Sequence, residues 1–555
     1  MMGYESGLEL GMTDRKTGPG RTLMIQGTAS DVGKSLITAA LCRIFTQDGY
    51  RTAPFKSQNM SLNSYVTWDG KEIGRAQGMQ ADACGIAATT DMNPILLKPT
   101  GEMSSQVVVH GKPLRDYEAR EYRERYLPVA GGIARESLRV LREKYDIVVL
   151  EGAGSPAEIN LKDRDIVNMN MAAWADAPVV LVADIDRGGV FASIVGTLEL
   201  LEPHERDRVC GFVINKFRGD VALLKPGLDW LEERTGKPVL GVLPYLPGLE
   251  LEDEDSLSLN GSRAAAYRRP DTNASKSGIQ LQAEAQRLDI IVVKLPRISN
   301  FTDVDPLLAE PDADVRFVEH AQEWGSPDLV LLPGSKNTIA DLAWLREQGL
   351  AELVLNHIRS GGRVAAICGG YEMLGERLLD PLGVESSQVE SQGLGLFPFH
   401  IEFQSFKTTV RVEGTVRLGG NVESFPIDGY EIHMGQMMPN RPDLQMPFLI
   451  REKRYEQEVY GEEPFQPEGV STPDGKVWGT FIHGVLHNDS FRRAWLNEAR
   501  RDRGWAPLAE GIRFRERREA AFDRLAVAAR TYLDLTRIYA IAGLREAEPD
   551  DAALS

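Results

Sequence analysis

The chain has 555 residues, of which 42% are hydrophobic, and a formal net charge of −18. This length supports two or more domains with separate cores. The negative charge argues against nucleic acid and anionic membranes as partners, because both are bound largely through basic surfaces. No apolar run approaches the length of a membrane span. The four cysteines are far apart and form no CxxC pair, so we expect a reducing, cytoplasmic location without a zinc site or disulfides.

A short apolar strand, a glycine-rich loop and a helical pattern open the folded part of the chain. The strand is predicted over residues 21–26, the loop GTASDVGKS spans residues 27–35, and the helix ends at Gly49. Loops of this kind cradle phosphates with backbone N–H groups, while the lysine reaches the outer phosphates and the hydroxyl ligates magnesium. We therefore predict ATP and Mg²⁺ as cofactors. The predicted nucleotide contacts in the loop are Gly27, Thr28, Gly33, Lys34 and Ser35.

Polar residues follow two predicted strands at the edge where a parallel sheet binds ligands. Glu151 ends the apolar run 147–150 and could hold magnesium together with Ser35. The alternative is that this carboxylate caps the following turn. Residues 51–67 are dense in polar side chains directly after a strand, which predicts a substrate-binding loop. Its predicted substrate contacts are Lys56, Gln58 and Asn59.

Two further strands end in basic or amide side chains. They lie in segments 178–193 and 209–220. An asparagine followed by a lysine at a strand end can read an adenine edge, so we predict that Asn215 contacts the base. A basic cluster would meet phosphate or substrate carboxylates, although ordinary surface ion pairs are the alternative. The predicted members of this cluster are Arg187, Lys216 and Arg218.

A cysteine follows an apolar run in the C-terminal half. Residues 364–367 predict a buried strand, and the two glycines after Cys368 allow a sharp turn into a helix. Such an elbow aims the side chain at a helix N-terminus, where the dipole and free N–H groups lower the thiol pKa and can hold an oxyanion. The alternative is a small buried cysteine before a turn. His483 ends the predicted strand 477–482 and would complete a Cys–His pair.

Three C-terminal segments together resemble a triad-type glutamine amidotransferase: LVLLPGSKNT at 329–338, AAICGGYEMLG at 365–375 and GTFIHGVLHN at 479–488. The resemblance implies that Cys368 attacks the carboxamide of glutamine, that His483 moves the proton and that ammonia leaves. Backbone N–H groups near Gly334 and Gly369 could form the oxyanion hole.

The acidic third member of the triad is absent from its usual place. Most relatives carry a glutamate two residues after the histidine, whereas this chain has Val485. We therefore expect a Cys–His dyad without an acid at that position. Glu431 and His433, in the segment GYEIHMG, could lie near His483 and orient it, and a packed-strand role is at least as good an interpretation for both.

The N-terminal half resembles the same wider group of enzymes. The phosphate loop has five residues between Gly27 and Gly33, as in the dethiobiotin-synthetase-like branch. The segments PFKSQNMS, EIGRAQ, MNPILLKP and SQVVVHGK, with PRISNFTD at 296–303, resemble the cobyric acid synthase family. The resemblance implies an α/β fold of two domains, in which a P-loop domain with a mainly parallel sheet precedes a class I, flavodoxin-like amidotransferase domain.

The same resemblance implies the reaction. A cobyric acid synthase amidates the b, d, e and g carboxylates of adenosylcobyrinic acid a,c-diamide in adenosylcobalamin biosynthesis. Glutamine would supply ammonia through a cysteine thioester, and ATP would activate each carboxylate as an acyl phosphate. The implied partners are a small corrinoid, glutamine and ATP, and a homo-oligomer is compatible with the sequence.

The composition of the chain also predicts where its domains begin and end. Segment 117–144 is charged and helical, and it predicts a solvated helix pair without chemistry. The helices after residue 490 are expected to cap the amidotransferase domain. The expected divisions are a disordered leader 1–20, a P-loop domain 21–248, a linker 249–286, an amidotransferase domain 287–490 and a helical cap and tail 491–555.

Two other functions are compatible with parts of the sequence. Another ATP-dependent amidoligase of this architecture, such as a cobyrinic acid diamide synthase or a cell-wall isoglutaminyl-type enzyme, predicts a different loop in place of 56–63. A non-enzymatic partitioning ATPase expects a second lysine early in the phosphate loop, where this chain has Thr28 and Ala29. That function also leaves Cys368 and His483 without a purpose.

Overall fold

The computed structural model describes residues 18–100, 104–251, 286–386, 388–419, 423–453 and 464–545. Most of the expected leader, most of the expected linker and the end of the expected tail lie outside these ranges. The domain boundaries therefore stay predictions. Within the described ranges, none of the helices is long and apolar enough to cross a membrane.

The N-terminal half is built around a parallel sheet. Its strands are β1 (Arg21–Gly27), β2 (Thr52–Phe55), β3 (Gln58–Met60), β4 (Ser64–Val66), β5 (Glu72–Gly74), β6 (Ile95–Pro99), β7 (Ser104–Val109), β8 (Lys112–Glu118), β9 (Ile147–Glu151), β10 (Val179–Asp184), β11 (Val209–Phe217) and β12 (Val239–Pro244). Its helices are α1 (Lys34–Gln47), α2 (Arg75–Ala83), α3 (Ala119–Glu121), α4 (Leu127–Lys144), α5 (Met169–Ala175), α6 (Val190–Leu200), α7 (Pro203–Arg208) and α8 (Val221–Thr235).

The six-stranded sheet of this half has the order β12-β11-β10-β1-β9-β2, with every neighbouring pair parallel. Its central strands are apolar along their length because helices cover both faces of the sheet, as parallel sheets require. The carboxyl ends of β1, β9, β10 and β11 therefore meet at one edge. The phosphate loop follows β1 at that edge.

Two expectations for this half need correction. The expected substrate loop contains short strands, since β3 joins the sheet β3-β6-β7-β8 and β4 pairs with β5. The expected helix pair is one continuous helical run, α3 to α4, joined by a π-helical turn at Tyr122–Tyr126. Tyr117 belongs to β8 and not to a helix, because β8 pairs with the apolar strand β7.

The C-terminal half contains a second set of elements. Its strands are β13 (Leu288–Val293), β14 (Ile298–Ser299), β15 (Ala313–Val318), β16 (Leu329–Leu332), β17 (Gly334–Ser335), β18 (Arg363–Ile367), β19 (Arg377–Leu379), β20 (Glu390–Gln392), β21 (Phe399–Val416), β22 (Phe425–Pro439), β23 (Phe448–Glu452), β24 (Gln466–Glu468), β25 (Val470–Ser471) and β26 (Val477–Thr480). Its helices are α9 (Asp305–Ala309), α10 (Thr338–Glu347), α11 (Leu350–Arg359), α12 (Gly369–Glu372), α13 (Asp489–Asp502), α14 (Phe514–Tyr532) and α15 (Leu535–Ala542).

The main sheet of this half has the order β15-β13-β16-β18-β26-β25 and is parallel except for the pairing of β25 with β26. The adjacent strands β18 and β26 end at Ile367 and Thr480, directly before the two predicted catalytic segments. A second sheet, antiparallel except for the pairing of β19 with β21, is built around the long hairpin β21–β22. The predicted class, two α/β domains with a mainly parallel sheet in the first, is confirmed.

The C-terminal helices divide between the two halves. Helix α13 packs on the second sheet through Phe491, Trp495 and Leu496. Helices α14 and α15 belong instead to the core of the N-terminal half, and the Asp534 N–H donates to the Leu240 carbonyl of β12 at 2.7 Å. The expectation of a single cap on the amidotransferase domain is therefore wrong for α14 and α15.

Candidate active sites

The phosphate loop is shaped by close backbone contacts. Gly33 has φ of 98° and begins α1, and the Asn215 side-chain amide donates to the Val32 carbonyl at 2.8 Å. A Cβ on Gly33 would lie 2.2 Å from that amide nitrogen, so only glycine fits here. The Lys34 ammonium donates to the carbonyls of Ala29 at 2.9 Å and Gly154 at 3.1 Å. Asn215 therefore lies against the loop, where we predicted a contact with the base.

The first residues of the loop contribute differently. The Thr28 N–H donates to the Val182 carbonyl of β10 at 2.9 Å and so continues the sheet. A nucleotide contact by Thr28 would therefore need its side chain and not this amide. A Cβ on Gly27 would lie 2.6 Å from Val32 Cγ2, which explains why the loop folds back over a glycine.

Glu151 is the centre of a buried polar cluster at the end of β9. Its Oε1 accepts from the Ser35 hydroxyl at 2.9 Å and from the Lys56 ammonium at 3.0 Å. Its Oε2 accepts from the Gln80 amide at 2.6 Å. Burial acts to raise the pKa of Glu151, but Lys56 and Gln80 outweigh it and hold that pKa below its usual value. The carboxylate is therefore ionised, and with the Ser35 hydroxyl it offers the oxygen ligands that Mg²⁺ prefers.

One cleft of about 1480 Å³ adjoins this cluster. Single ligand sites commonly measure about 300–1000 Å³, so this cleft has room for a nucleotide and a second sizeable ligand. Sequence reasoning missed Gln80 beside Glu151 as well as the aromatic and basic wall formed by Tyr122 and Arg123. The predicted residues that line the cleft are Gly33, Lys34, Ser35, Lys56, Gln58, Asn59, Glu151, Arg187, Asn215, Lys216 and Arg218.

The basic side chains of the cleft are paired with acids. The Lys216 ammonium lies 2.9 Å from Asp184, and the Arg187 guanidinium lies 4.0 Å from the same carboxylate. The Arg218 guanidinium lies 2.9 Å from Asp186. These are the ion pairs considered as the alternative above, and the Arg218–Asp186 pair is exposed on both sides, where such pairs contribute little stability. An anionic ligand can therefore compete for Arg218 at small cost, and the substrate role of all three cations stays a prediction.

Cys368 lies on a strained elbow between β18 and α12. Its φ of 52° and ψ of −113° are unusual for a residue with a side chain and cost about 1–3 kcal/mol. The prediction of a lowered thiol pKa is wrong for this structure. Burial, reinforced by the charge of Glu372, raises the pKa of Cys368 well above its usual value, and the Gly369 N–H only partly opposes them. The thiol therefore needs a base to remove its proton.

His483 is completely buried and has a carboxylate partner. Its Nδ1 lies 2.7 Å from Asp303 Oδ2, and Asp303 Oδ1 accepts from the Gly484 N–H at 2.7 Å. On the other side of the ring, Nε2 lies 3.3 Å from the Asn300 amide nitrogen. The Tyr430 ring stacks on the imidazole with a centroid separation of 5.2 Å. His483 is therefore held in one orientation on both edges and one face.

The suggestion that Glu431 or His433 orients His483 is wrong, because Asp303 occupies that position. His433 stacks on Phe481 with ring centroids 3.8 Å apart and lies 3.8 Å from Glu431. Asp303 is 180 residues from His483 in sequence, so no spacing rule could pair them. The only available signal was its place in the segment PRISNFTD, which follows the buried strand β13.

The two predicted oxyanion residues lie beside this cluster. A Cβ on Gly334 would be 3.0 Å from His483 Cε1, and a Cβ on Gly369 would be 2.8 Å from the Ser335 nitrogen. Both positions therefore need glycine because backbones approach closely. The structure brings these glycines, the elbow and the imidazole to one end of the second sheet, and the oxyanion role stays a prediction.

Comparison with protein families gives two matches, one in each half. Residues 23–259 match the CobQ/CobB/MinD/ParA nucleotide binding domain, and residues 289–491 match the CobB/CobQ-like glutamine amidotransferase domain. A nucleotide-binding domain fused to an amidotransferase domain defines a glutamine-hydrolysing, ATP-dependent carbon–nitrogen ligase.

Comparison with individual relatives identifies the family within this class. The chain is 53% identical to a cobyric acid synthase of Geobacillus sp. (strain WCH70), over 91% of this chain and 94% of the relative. It is 51% identical to the cobyric acid synthases of Geobacillus kaustophilus, over 93% and 96%, and of Sorangium cellulosum, over 94% and 99%. The chain belongs to the cobyric acid synthase family.

Proposed function

We propose that this protein amidates the b, d, e and g carboxylates of adenosylcobyrinic acid a,c-diamide, with ammonia from glutamine and energy from ATP, in adenosylcobalamin biosynthesis. One observation carries this proposal: most of the predicted nucleotide residues and all of the predicted substrate residues line a single large cleft in the same chain that holds the Cys368 elbow and a buried His483–Asp303 pair. The identity to cobyric acid synthases along nearly the whole chain supports this substrate over that of a diamide synthase.

The amidotransferase half would release ammonia from glutamine. His483 Nε2 takes the proton of the Cys368 thiol, and the sulfur attacks the carboxamide carbon. The carbon–nitrogen bond breaks, the imidazolium gives its proton to the leaving nitrogen, and a thioester remains. Water then cleaves the thioester to glutamate and regenerates the thiol. Asp303 keeps the Nδ1 proton in place, so that Nε2 is the basic nitrogen.

The nucleotide-binding half would activate the acceptor. A substrate carboxylate oxygen attacks the γ-phosphorus of ATP, which forms an acyl phosphate and releases ADP. Ammonia then displaces phosphate and leaves the amide. Carboxylate is a poor electrophile, and phosphorylation converts one of its oxygens into a leaving group. Lys34 and Lys56 line the cleft and would neutralise the charge of the transferred phosphoryl group.

Magnesium fits the cluster at the end of β9. The Ser35 hydroxyl and the Glu151 carboxylate would hold it, and the ion would neutralise phosphate charge when bound. The Lys56 ammonium lies 3.0 Å from the same Glu151 carboxylate.

Mass spectrometry of the corrinoid tests the whole proposal. The a,c-diamide is incubated with the protein, glutamine, ATP and magnesium, beside a reaction without ATP. We expect an ATP-dependent series of products that ends at the fourfold amidated corrinoid. Hydrolysis of glutamine with an unchanged corrinoid would show that the acceptor is another carboxylate.

A further inference from the structure

We propose that helix α14, which follows the amidotransferase half in the chain, forms one wall of the pocket that binds the base of ATP. The contact is made by Leu525, which lines the cleft. This inference rests on the use of ATP proposed above and adds a binding residue for it. It makes nucleotide binding by the N-terminal half depend on the C-terminal end of the chain.

The strand order of the first sheet decides on which side of the phosphate loop the base lies. Strand β1, which the loop follows, is in the middle of the order β12-β11-β10-β1-β9-β2. Glu151 ends β9 and contacts Ser35 and Lys56, so the proposed magnesium ion and the outer phosphates lie on the β9 side of the loop. A nucleotide extends from its outer phosphates through the ribose to the base. The base therefore lies on the opposite side, towards the ends of β11 and β12.

The cleft has apolar walls on that side. We call this part of the cleft the base pocket, and the residues that define it are Leu243, Tyr245, Leu246, Leu249, Leu251 and Leu525. At its edge, the Arg218 guanidinium stacks on the Tyr245 ring, with Cζ 3.5 Å from the ring centroid. Apolar side chains and a planar stacked pair suit the flat faces of a heterocyclic base, whereas the charged groups around Glu151 suit phosphate.

Helix α14 reaches the base pocket because it packs on α1, the helix that begins at the phosphate loop. Leu525 belongs to the same buried core as Ile37 and Leu41 of α1. Next to this core, the Arg43 guanidinium of α1 lies 2.8 Å from the Asp523 carboxylate of α14. The packing therefore holds Leu525 beside the helix whose first turn meets the phosphates.

The same helix also fixes a neighbouring wall of the base pocket. The Arg517 guanidinium donates to Glu250 Oε2 at 2.9 Å and contacts Oε1 as well. The Arg524 guanidinium donates to the carbonyls of Gly248 at 3.4 Å and Leu249 at 3.3 Å. Glu250 has φ of 59°, a conformation that is unusual for a residue with a side chain and that the surrounding contacts must maintain. Helix α14 thus supplies one wall of the pocket and positions the wall that contains Leu249.

Two probes separate a contact with the base from a general effect on the site. ATP carries the base, whereas inorganic tripolyphosphate carries only a phosphate chain. Their dissociation constants for the full-length protein are measured by calorimetry in the presence of magnesium. In Leu525→Ala we expect the dissociation constant of ATP to rise by about tenfold, because part of an apolar contact is lost. That of tripolyphosphate should change by less than about twofold, because the phosphate loop is intact.

Val527→Ala is the matched control, because Val527 is on the same helix and is 62% exposed. It should leave both dissociation constants within about twofold of the wild-type values. Equal weakening of ATP and tripolyphosphate binding in Leu525→Ala would overturn the inference, since the effect would then not involve the base. Unchanged binding of both probes would overturn it as well.

Photolabelling of the wild-type protein covers the possibility that Leu525→Ala fails to fold. Azido-ATP carries a photoreactive group on the base and attaches on irradiation to the residues around it. We expect label that excess ATP suppresses in the tryptic peptide 525–530, which follows Arg524. Absence of label from this peptide would contradict the placement of α14. If neither ATP nor tripolyphosphate bound the wild-type protein, the proposed function itself would fail, so the two failures are distinguishable.

Discussion

At the scale of single residues, replacement of Cys368 should distinguish glutamine from free ammonia as the nitrogen donor. Cys368→Ala removes the only nucleophile proposed for glutamine and leaves the distant cleft untouched. We expect glutamine-supported amidation to fall by roughly 10³-fold or more, while added ammonia still supports amidation. Product formation with each donor can be followed by mass spectrometry of the corrinoid. Equal loss with both donors would contradict this division of labour.

Asp303 offers the sharpest test of the buried His483–Asp303 pair. Asp303→Asn keeps the size of the side chain but removes the charge that holds the Nδ1 proton of His483. We expect kcat for glutamine hydrolysis to fall by about 10³–10⁴-fold with little change in KM. The control is Asp314→Asn, an exposed position on β15 of the same half. If Asp303→Asn changed KM alone, the orienting role would be wrong.

Lys34 tests the phosphate loop. Its ammonium lines the cleft and donates to the carbonyls of Ala29 in the loop and of Gly154 after β9, so Lys34→Ala removes the charge that would meet the outer phosphates. We expect amidation to be lost with either glutamine or ammonia, while unstimulated glutamine hydrolysis remains. ATP-dependent product formation and glutamate release are measured in parallel. Normal ATP-dependent turnover in this variant would refute the assignment of the loop.

At the scale of elements, the end of β24 carries a carboxyl group that should make stability depend on pH. Burial, together with repulsion by Glu431, raises the pKa of Glu468 from 4.5 to about 8. The folded state therefore binds a proton that the unfolded state has lost between these values. The free energy of unfolding should fall as pH rises through this window, by up to about 1.4 kcal/mol per pH unit.

Glu468→Gln removes this titration, because an amide stays neutral and can still accept from the Phe481 N–H, as Oε1 does at 2.8 Å. Chemical denaturation at about pH 5 and about pH 8 should show a smaller pH dependence than in the wild type. Glu390→Gln, at an exposed position on β20, should leave the wild-type dependence in place. An unaltered slope in Glu468→Gln would show that another group titrates.

Helix α14 provides a test of packing. Phe522 is fully buried in the core of the nucleotide-binding half, whereas Val527 on the same helix is 62% exposed. Phe522→Ala should lower the free energy of unfolding by about 3–5 kcal/mol, and Val527→Ala should change it by less than about 0.5 kcal/mol. Chemical denaturation monitors both. Equal effects would contradict the docking of α14 on this core.

Some features of the fold and of the candidate sites could be predicted from the sequence, and others could not. The strand, loop and helix around Lys34 and the elbow at Cys368 were predictable because each is encoded in a dozen consecutive residues. The partner of His483 and the docking of α14 were not, because each depends on which distant surfaces meet after folding. The lowered thiol pKa was wrong for a related reason: the helix N-terminus is local, but the burial of Cys368 comes from the whole amidotransferase half.

At the scale of the whole molecule, the proposed function requires one phosphate loop to serve several carboxylates around a single ring. Lys34 is fixed by the carbonyls of Ala29 and Gly154, so the γ-phosphate of ATP can be presented at one place only. A corrinoid must therefore turn between amidations to bring the next carboxylate to that place. A large ligand bound in a cleft can turn only by leaving it. We accordingly expect partly amidated corrinoids to be released and rebound.

A chase experiment measures this release. Isotopically labelled a,c-diamide is allowed to react for less than one full cycle, and an excess of unlabelled partly amidated corrinoid is then added. Release predicts that the labelled intermediates stop short of the final product, because they are diluted into the free pool. If the label passes on to the fourfold amidated product despite the excess, the ring stays bound and turns inside the cleft. The roughly 1480 Å³ of that cleft would then be the space that permits the rotation.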